Sequence, residues 1–243
     1  MSSIPSDSTA PATVSPAPLR AISSMATRLL LGELTAVYGQ RNGVSVQVES
    51  IGGVDAARRV MADEVFDIVV LASDAIAQLA TAGKLWPGSR VDLVHSGVAV
   101  AVPAGAPVPD VSTEAAVRQA VLSARTLSYS TGPSGVALAR LFERWGVADA
   151  LRDRIVTPPP GVPVGSLVAR GEVELGFQQL SELLHVQGIQ LLGPLPPAIQ
   201  ITTTFSAAVC ATATQPEAAR AAIAFMASAD AADAKRRQGM DPA

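Results

Sequence analysis

Residues 128–146 read SYSTGPSGVALARLFERWG. Ser128, Tyr129, Ser130, Thr131, Gly132, Ser134 and Gly135 stand where a short apolar run gives way to helical spacing. One Ser is enough to cap a helix. A cluster of small hydroxyl and glycine residues does more: it lets backbone N–H groups approach a small anion. The first four N–H groups of a helix have no intrahelical partner, and that end of the helix favours negative charge. The same succession of strand end, small polar residues and helix start recurs at Ser23-Ser24, Gly52-Gly53, Ser73 and Pro160-Gly161. At Gln178-Gln179 two amides close an apolar strand. Ligands of open α/β sheets bind beyond the carboxyl ends of the strands. That rule gathers Ser23, Ser24, Gly53, Ser73, Ser130, Thr131, Ser134, Gly135, Gly161 and Gln179 into one candidate anion site.

Each position has a plainer alternative. Any one Ser serves equally as a helix cap, and Ser73 or Asp74 is placed to cap the helix after it. Gly52-Gly53 also suits a tight turn. Arg58 and Arg59 lie one helical turn further on, with a solvated face as the simpler reading. Tyr129 is either core or cleft wall. Alternation sends Gln178 and Gln179 to opposite faces of a strand, so one of them faces the cleft. Asp67 and Asp74 bracket a strand and are expected to cap and pair locally.

Other chemistries lack their residues. His95 and His185 have no Cys or second His at ligand spacing, so no metal site is expected. No G-x-S-x-G, Walker or Rossmann pattern occurs, and GPSGVA lacks the P-loop Lys. No cofactor is implied. Cys210, in FSAAVCATA, reads as a buried strand cysteine.

The elements that would position these residues follow from periodicity. LRAISS (19–24) is a strand, MATRLLLGELTAVYGQRNG a helix, and VSVQVES a strand with Val44, Val46 and Val48 on one face. VDAARRVMAD is a helix, FDIVVLAS (66–73) a strand covered on both faces, and DAIAQLATAG a helix ending at Gly83. A long alternating run spans 90–107. A helix near 113–124, the strand TLSYS and the helix 134–146 come next. DRIVTPPPGVPVG holds a short strand and a Pro-rich loop. GSLVARGE is a helix, VELGFQQ a strand, SELLHVQG a short helix or turn, and IQLLGPLP a strand. A second long run spans 199–214, and one or two helices close the chain. The two long runs bracket the middle segment. They predict an α/β protein of two lobes with mixed sheets, helices on both faces and two crossover strands. Residues 18–95 plus 205–243 would form lobe 1 and residues 97–200 lobe 2.

Composition agrees. Of 243 residues, 49% are hydrophobic and only 16% charged, so a chain of this length can bury a core in one large or two ordinary domains. A net charge of −3 with no basic run excludes nucleic acid as a partner. Residues 1–17 are rich in Ser, Pro, Ala and Thr and read as a disordered lead. They lack the charged and apolar regions of a secretory signal. No stretch is apolar for long enough to span a bilayer. As written the chain is expected in the cytoplasm, and in the periplasm if a leader has been removed.

In order and spacing, AISSMATRLL, SIGGVDAARRVMADEVFDIVVLASDAIAQLATAGKL, PSGVALARLFERWG, LVARGEVELGFQQ and the tail FSAAVCATATQPEAARAAIAFMASADA resemble the periplasmic molybdate-binding protein family. That family has the type II solute-binding fold, and the resemblance covers nearly everything after residue 18. It implies that Ser24 keeps the first ligand hydroxyl. Val54 stands where a second Ser is expected and offers only its N–H, and Ser134 also serves through its N–H. Gly161 lies in the fourth ligand region, and Gln179 replaces a Tyr that closes over the anion. Losing a hydroxyl and exchanging a phenol for an amide suits a carboxylate or another organic anion better than molybdate. Proteins similar to this family include aconitate isomerases, which move a double bond within a tricarboxylic acid.

Three functions follow. The first is a solute-binding protein for a small anion, partnered by an ABC-type permease if exported. The second is an isomerase using the same cleft, with His95, Tyr129 and Glu182 standing equal as candidate bases. The third is a cytosolic ligand sensor.

Overall fold

The computed structural model describes residues 17–243; apart from Ala17, the expected lead lies outside the described residues. The chain runs β1 (Leu19–Ser24), α1 (Arg28–Asn42), β2 (Val46–Ile51), α2 (Gly53–Met61), β3 (Ile68–Ala72), α3 (Ser73–Thr81) and β4 (Val91–Pro103). Then come α4 (Glu114–Ser123), β5 (Leu127–Tyr129), α5 (Pro133–Arg144), α6 (Ala148–Leu151), α7 (Val164–Ala169), β6 (Leu175–Gln179) and α8 (Leu180–Leu183). It closes with β7 (Ile189–Pro194), β8 (Thr202–Val209), α9 (Pro216–Ala227), α10 (Ala232–Arg237) and β9 (Asp241–Pro242).

The strands join in the order β2-β1-β3-β8-β4-β6-β5, with β7 and β9 also on β4. β4 serves two mixed sheets. Val91–Gly97 runs antiparallel to β8 beside the parallel set β2, β1 and β3. Val98–Pro103 runs antiparallel to β6 and β7, and β6 is parallel to β5. At the switch, the Val98 N–H donates both to the Ile201 carbonyl (3.0 Å) and to Gln200 Oε1 (3.1 Å).

β3 and β4 each feed two cores because their side chains alternate. In β3, Ile68, Val70 and Ala72 pack with Leu30, Leu34 and Ile223 of α1 and α9, while Val69 and Leu71 pack with Val60 and Ile76 of α2 and α3. In β4, Val98, Val100 and Val102 join Leu138 and Phe142 of α5, and Ala99 and Ala101 join Leu183 of α8. Fully burying a Val, Leu, Ile or Phe side chain contributes about 1.5–3 kcal/mol. Helices therefore cover both faces of both sheets, which explains the unbroken apolar runs.

Four details differ from the sequence expectation. DRIVTPPPGVPVG holds no strand, only a single bridge from Ile155 to Leu127, because its prolines cannot donate to a ladder. The run 199–214 is not one strand: Pro197–Ile199 form a short 3-10 turn and β8 starts at Thr202. Neither Ser73 nor Asp74 caps α3; Ala72 holds the N-cap position and no side chain bonds the first turn. The 134–146 helix starts one residue earlier, with Pro133 in its first turn, where a missing N–H costs nothing.

Candidate functional site

Between the two sheets lies an open cleft of about 1560 Å³. Small-molecule sites commonly run to about 300–1,000 Å³, so the cleft has room for one. Among the sequence-selected residues, Ser24, Gly53, Val54, Ser73, Ser130, Thr131, Ser134, Gly161 and Gln179 line it. Ser23 and Gly135 do not. The Ser23 hydroxyl is fully buried one residue short of the strand end and bonds Ser50 Oγ at 2.8 Å. Gly135 is required by packing: a Cβ there would stand 1.5 Å from the Ser130 carbonyl oxygen.

On one wall, β1, α2, β3 and α3 present Ser24, Gly53, Val54 and Ser73. Neither α2 nor α3 has a side-chain cap, so their first-turn N–H groups remain unpaired by side chains. Ser24 is no cap either: its Oγ is buried and has no hydrogen-bond partner among the described residues. Gly53 has no positive φ and a Cβ there would rest 3.5 Å from Ser24 Cβ, so the tight-turn alternative fails. Ser73 spends its hydroxyl on the Thr204 carbonyl (2.9 Å) and Ser206 Oγ (3.0 Å). Ser206 in turn donates to Asp92 Oδ1 at 2.5 Å. That bond, with Arg90 beside it, holds the Asp92 carboxyl below the usual range.

The other wall combines the start of α5 with the end of β6. α5 also lacks a side-chain cap, and the Ser130 hydroxyl is occupied by the Gly132 N–H at 3.1 Å. Both Gln178 and Gln179 line the cleft, against the expectation that only one does. They leave the strand on opposite sides, but at its very end, where each side still borders the opening. Gln179 Nε2 donates to Thr203 Oγ1 at 2.9 Å, and Gln179 Oε1 is buried without a partner among the described residues. Gln178 Oε1 accepts the Gly165 N–H at 3.0 Å, and Gln178 Nε2 donates to Glu182 Oε1 at 2.8 Å. Burial pushes the Glu182 carboxyl up to about 7 against that bond.

Glu182 also separates the three candidate bases, since His95 and Tyr129 do not line the cleft. His95 Nδ1 lies 2.9 Å from Thr204 Oγ1. Tyr129 packs edge-on to Phe142, with its phenol raised by burial. Sequence reasoning missed Gln178 as a cleft residue, along with Asp92, Arg90 and Arg140. Arg58 lines the cleft and pairs with Asp55 at 2.7 Å, whereas Arg59 turns away to Glu49 and Glu64. Against the expectation of a local cap, Asp67 ties distant segments, with one oxygen on the Arg20 N–H and the other on the Thr214 and Gln215 N–H groups. Cys210 is buried, its thiol pushed up to about 12 by burial and by Asp67. Among the described residues, no cluster of metal-ligating side chains occurs and no helix is long and apolar enough to cross a membrane.

Two mixed sheets sharing a strand, with helix starts converging on the gap between them, define the type II periplasmic-binding-protein fold. The chain belongs to the bacterial extracellular solute-binding protein family, whose profile matches residues 19–241. It is 38% identical over 218 residues to an aconitate isomerase from Pseudomonas sp, a match spanning 86% of this chain and 82% of that one. The periplasmic molybdate-binding protein of Azotobacter vinelandii superposes with a TM-score of 0.76 at 20% identity, over 91% of this chain and 98% of the other. The sulfate-binding protein of Mycobacterium tuberculosis gives 0.72 at 17% identity, over 93% and 86%. At such identities these two structures establish the fold alone.

Proposed function

We propose that the cleft binds a small organic anion carrying more than one carboxylate. The observation that carries this reading is a pair of buried polar atoms without a partner among the described residues, Ser24 Oγ and Gln179 Oε1, on walls of one cleft. Leaving such a group unmade costs about 1–3 kcal/mol, a cost that a ligand removes. Turning the Ser24 side chain about its Cα–Cβ bond brings its hydroxyl out to donate to a carboxylate. Turning the Gln179 amide over lets Thr203 donate to Oε1 and aims Nε2 at the ligand, since a hydroxyl both donates and accepts. The uncapped starts of α2, α3 and α5 add about 0.3–2 kcal/mol each. With one or two charged hydrogen bonds this reaches the roughly −8 kcal/mol of micromolar affinity.

Cleft charges are nearly balanced. Arg58 is taken by Asp55 and Arg90 by Asp92, while Arg140 has no ion-pair partner among the described residues. Arg140 is thus the cation available to a second carboxylate. A thermal-shift series tests the reading: trans-aconitate, citrate or succinate at a hundred times Kd is expected to stabilise the protein by about 2.7 kcal/mol. Stabilisation by molybdate or sulfate alone would refute it.

Under the solute-binding reading the protein is exported and passes its ligand to an ABC-type permease. A second reading is favoured by the similarity to an aconitate isomerase across 86% of the chain: the same cleft interconverts cis- and trans-aconitate and needs no permease. Proton NMR of either isomer incubated with the protein distinguishes the two readings.

A further inference from the structure

We propose that Glu182 is the catalytic residue that carries the migrating proton in an isomerisation within the cleft, with Gln178 as its positioning residue. The proposal rests on the isomerase reading.

Four carboxyl side chains line the cleft: Asp55, Asp74, Asp92 and Glu182. Asp55 is paired with Arg58 and Asp92 with Arg90 and Ser206. Those bonds hold the Asp92 carboxyl below the usual range. Asp74 lies in the first turn of α3. Glu182 differs from all three. Its one hydrogen-bond partner among the described residues is the neutral amide of Gln178, and no cation pairs with it.

The geometry also fixes which oxygen carries the proton. Gln178 Oε1 is held by the Gly165 N–H, so the amide cannot turn over without losing that bond. Its NH2 group must therefore donate to Glu182, which makes Glu182 Oε1 an acceptor. The proton of the acid form then belongs on Oε2, which accepts nothing among the described residues. A carboxyl half-ionised near neutral pH, as burial leaves this one, can both take and return a proton.

The step balances within the substrate. Glu182 Oε2 takes a proton from the methylene beside one carboxylate, and the C–H electron pair forms a new double bond to the central carbon. The former π pair moves to the third carbon and is held as the enolate of its carboxylate by the Ser24 hydroxyl and the helix-start N–H groups. The same Glu182 acid then delivers the proton to that carbon. One C–H bond breaks and one forms, the double bond moves one place, and no co-reactant is needed.

The test follows vinyl and methylene signals of trans-aconitate by proton NMR in D2O. The wild-type protein is expected to interconvert the isomers and exchange their protons. Glu182→Gln is expected to slow both about 10²–10⁴-fold while trans-aconitate still raises its melting temperature. Gln178→Leu removes a bond that favours the carboxylate, so the acid limb of its kcat/KM profile is expected to move to higher pH; a merely structural role would leave that limb in place. If Glu182→Gln does not fold, Glu182→Asp, which keeps the charge but withdraws the carboxyl, is expected to lose at least tenfold in kcat with little change in KM. An active wild type whose Glu182→Gln or Glu182→Asp variant keeps its rate within a factor of three overturns the role of Glu182 and leaves the isomerase reading standing. A wild type inert toward both aconitates between pH 5 and 9 overturns both.

Discussion

On one wall of the cleft, β1, β3 and their helices offer Ser24, Gly53 and Ser73, groups that keep one charge state at every ordinary pH. On the other, β6 ends in two glutamines and leads to Glu182, a carboxyl that changes charge near neutrality. Both walls use strand ends and uncapped helix starts, so the shared architecture supplies anion binding. What distinguishes them is a half-buried acid whose carboxyl is pushed up, added to only one. The comparison separates holding a ligand from altering it, and it assigns each to different elements.

The bluntest way to break the comparison is to remove the second wall. Gly135→Ala places a methyl group against the Ser130 carbonyl, where a Cβ would lie 1.5 Å away. A loss of more than about 4 kcal/mol, measured by denaturant unfolding, is expected from so deep a clash.

Charge on that wall can be switched rather than deleted. Glu182 titrates at about 7 in the folded protein, above its unfolded value, so the folded state holds the extra proton between the two. Stability relative to Glu182→Gln is then expected to fall as pH rises through that window, by on the order of 3 kcal/mol in all. Melting curves of both proteins between pH 4.5 and 8 check this, and parallel curves would remove the contrast between the walls.

Ser24→Ala sharpens the comparison from the other side. Ligand affinity is expected to drop by about 1.5–3 kcal/mol, as for a hydrogen bond to a charged group. The unliganded protein should lose no stability, because the hydroxyl removed has no partner among the described residues. Titration calorimetry and unfolding on one sample report both. The smallest effect belongs to Gly53→Ala. A methyl group there finds 3.5 Å of room, so the free protein is expected to gain about 0.4–1 kcal/mol from the reduced entropy of its unfolded chain. The added methyl crowds the floor of the cleft and affinity should fall.

Much of the first wall was legible in the sequence. FDIVVLAS and VSVQVES announce their strands by period and β-branching, and the helix starts after them are marked by Ser and Gly. The second wall was less so. Nothing local tells that Gln178 reaches Gly165, thirteen residues back, or that the resulting bond faces Glu182. The chain from Ser73 through Ser206 to Asp92 joins positions more than a hundred residues apart, and only the pairing of β4 with β8 creates it. Likewise Gly135 looked like a ligand residue because small residues serve close packing and close approach equally. Deciding between those uses takes the position of the Ser130 carbonyl.

The ribbon from Val91 to Pro103 belongs to one sheet with its first half and to the other with its second. Neither half of the molecule is therefore a separable folding unit, although each has its own apolar interior. Pulling that ribbon out would unzip both at once. Scanning calorimetry of the free protein is expected to record a single endotherm where two independent modules would give a pair, and a bound ligand should move it as a whole.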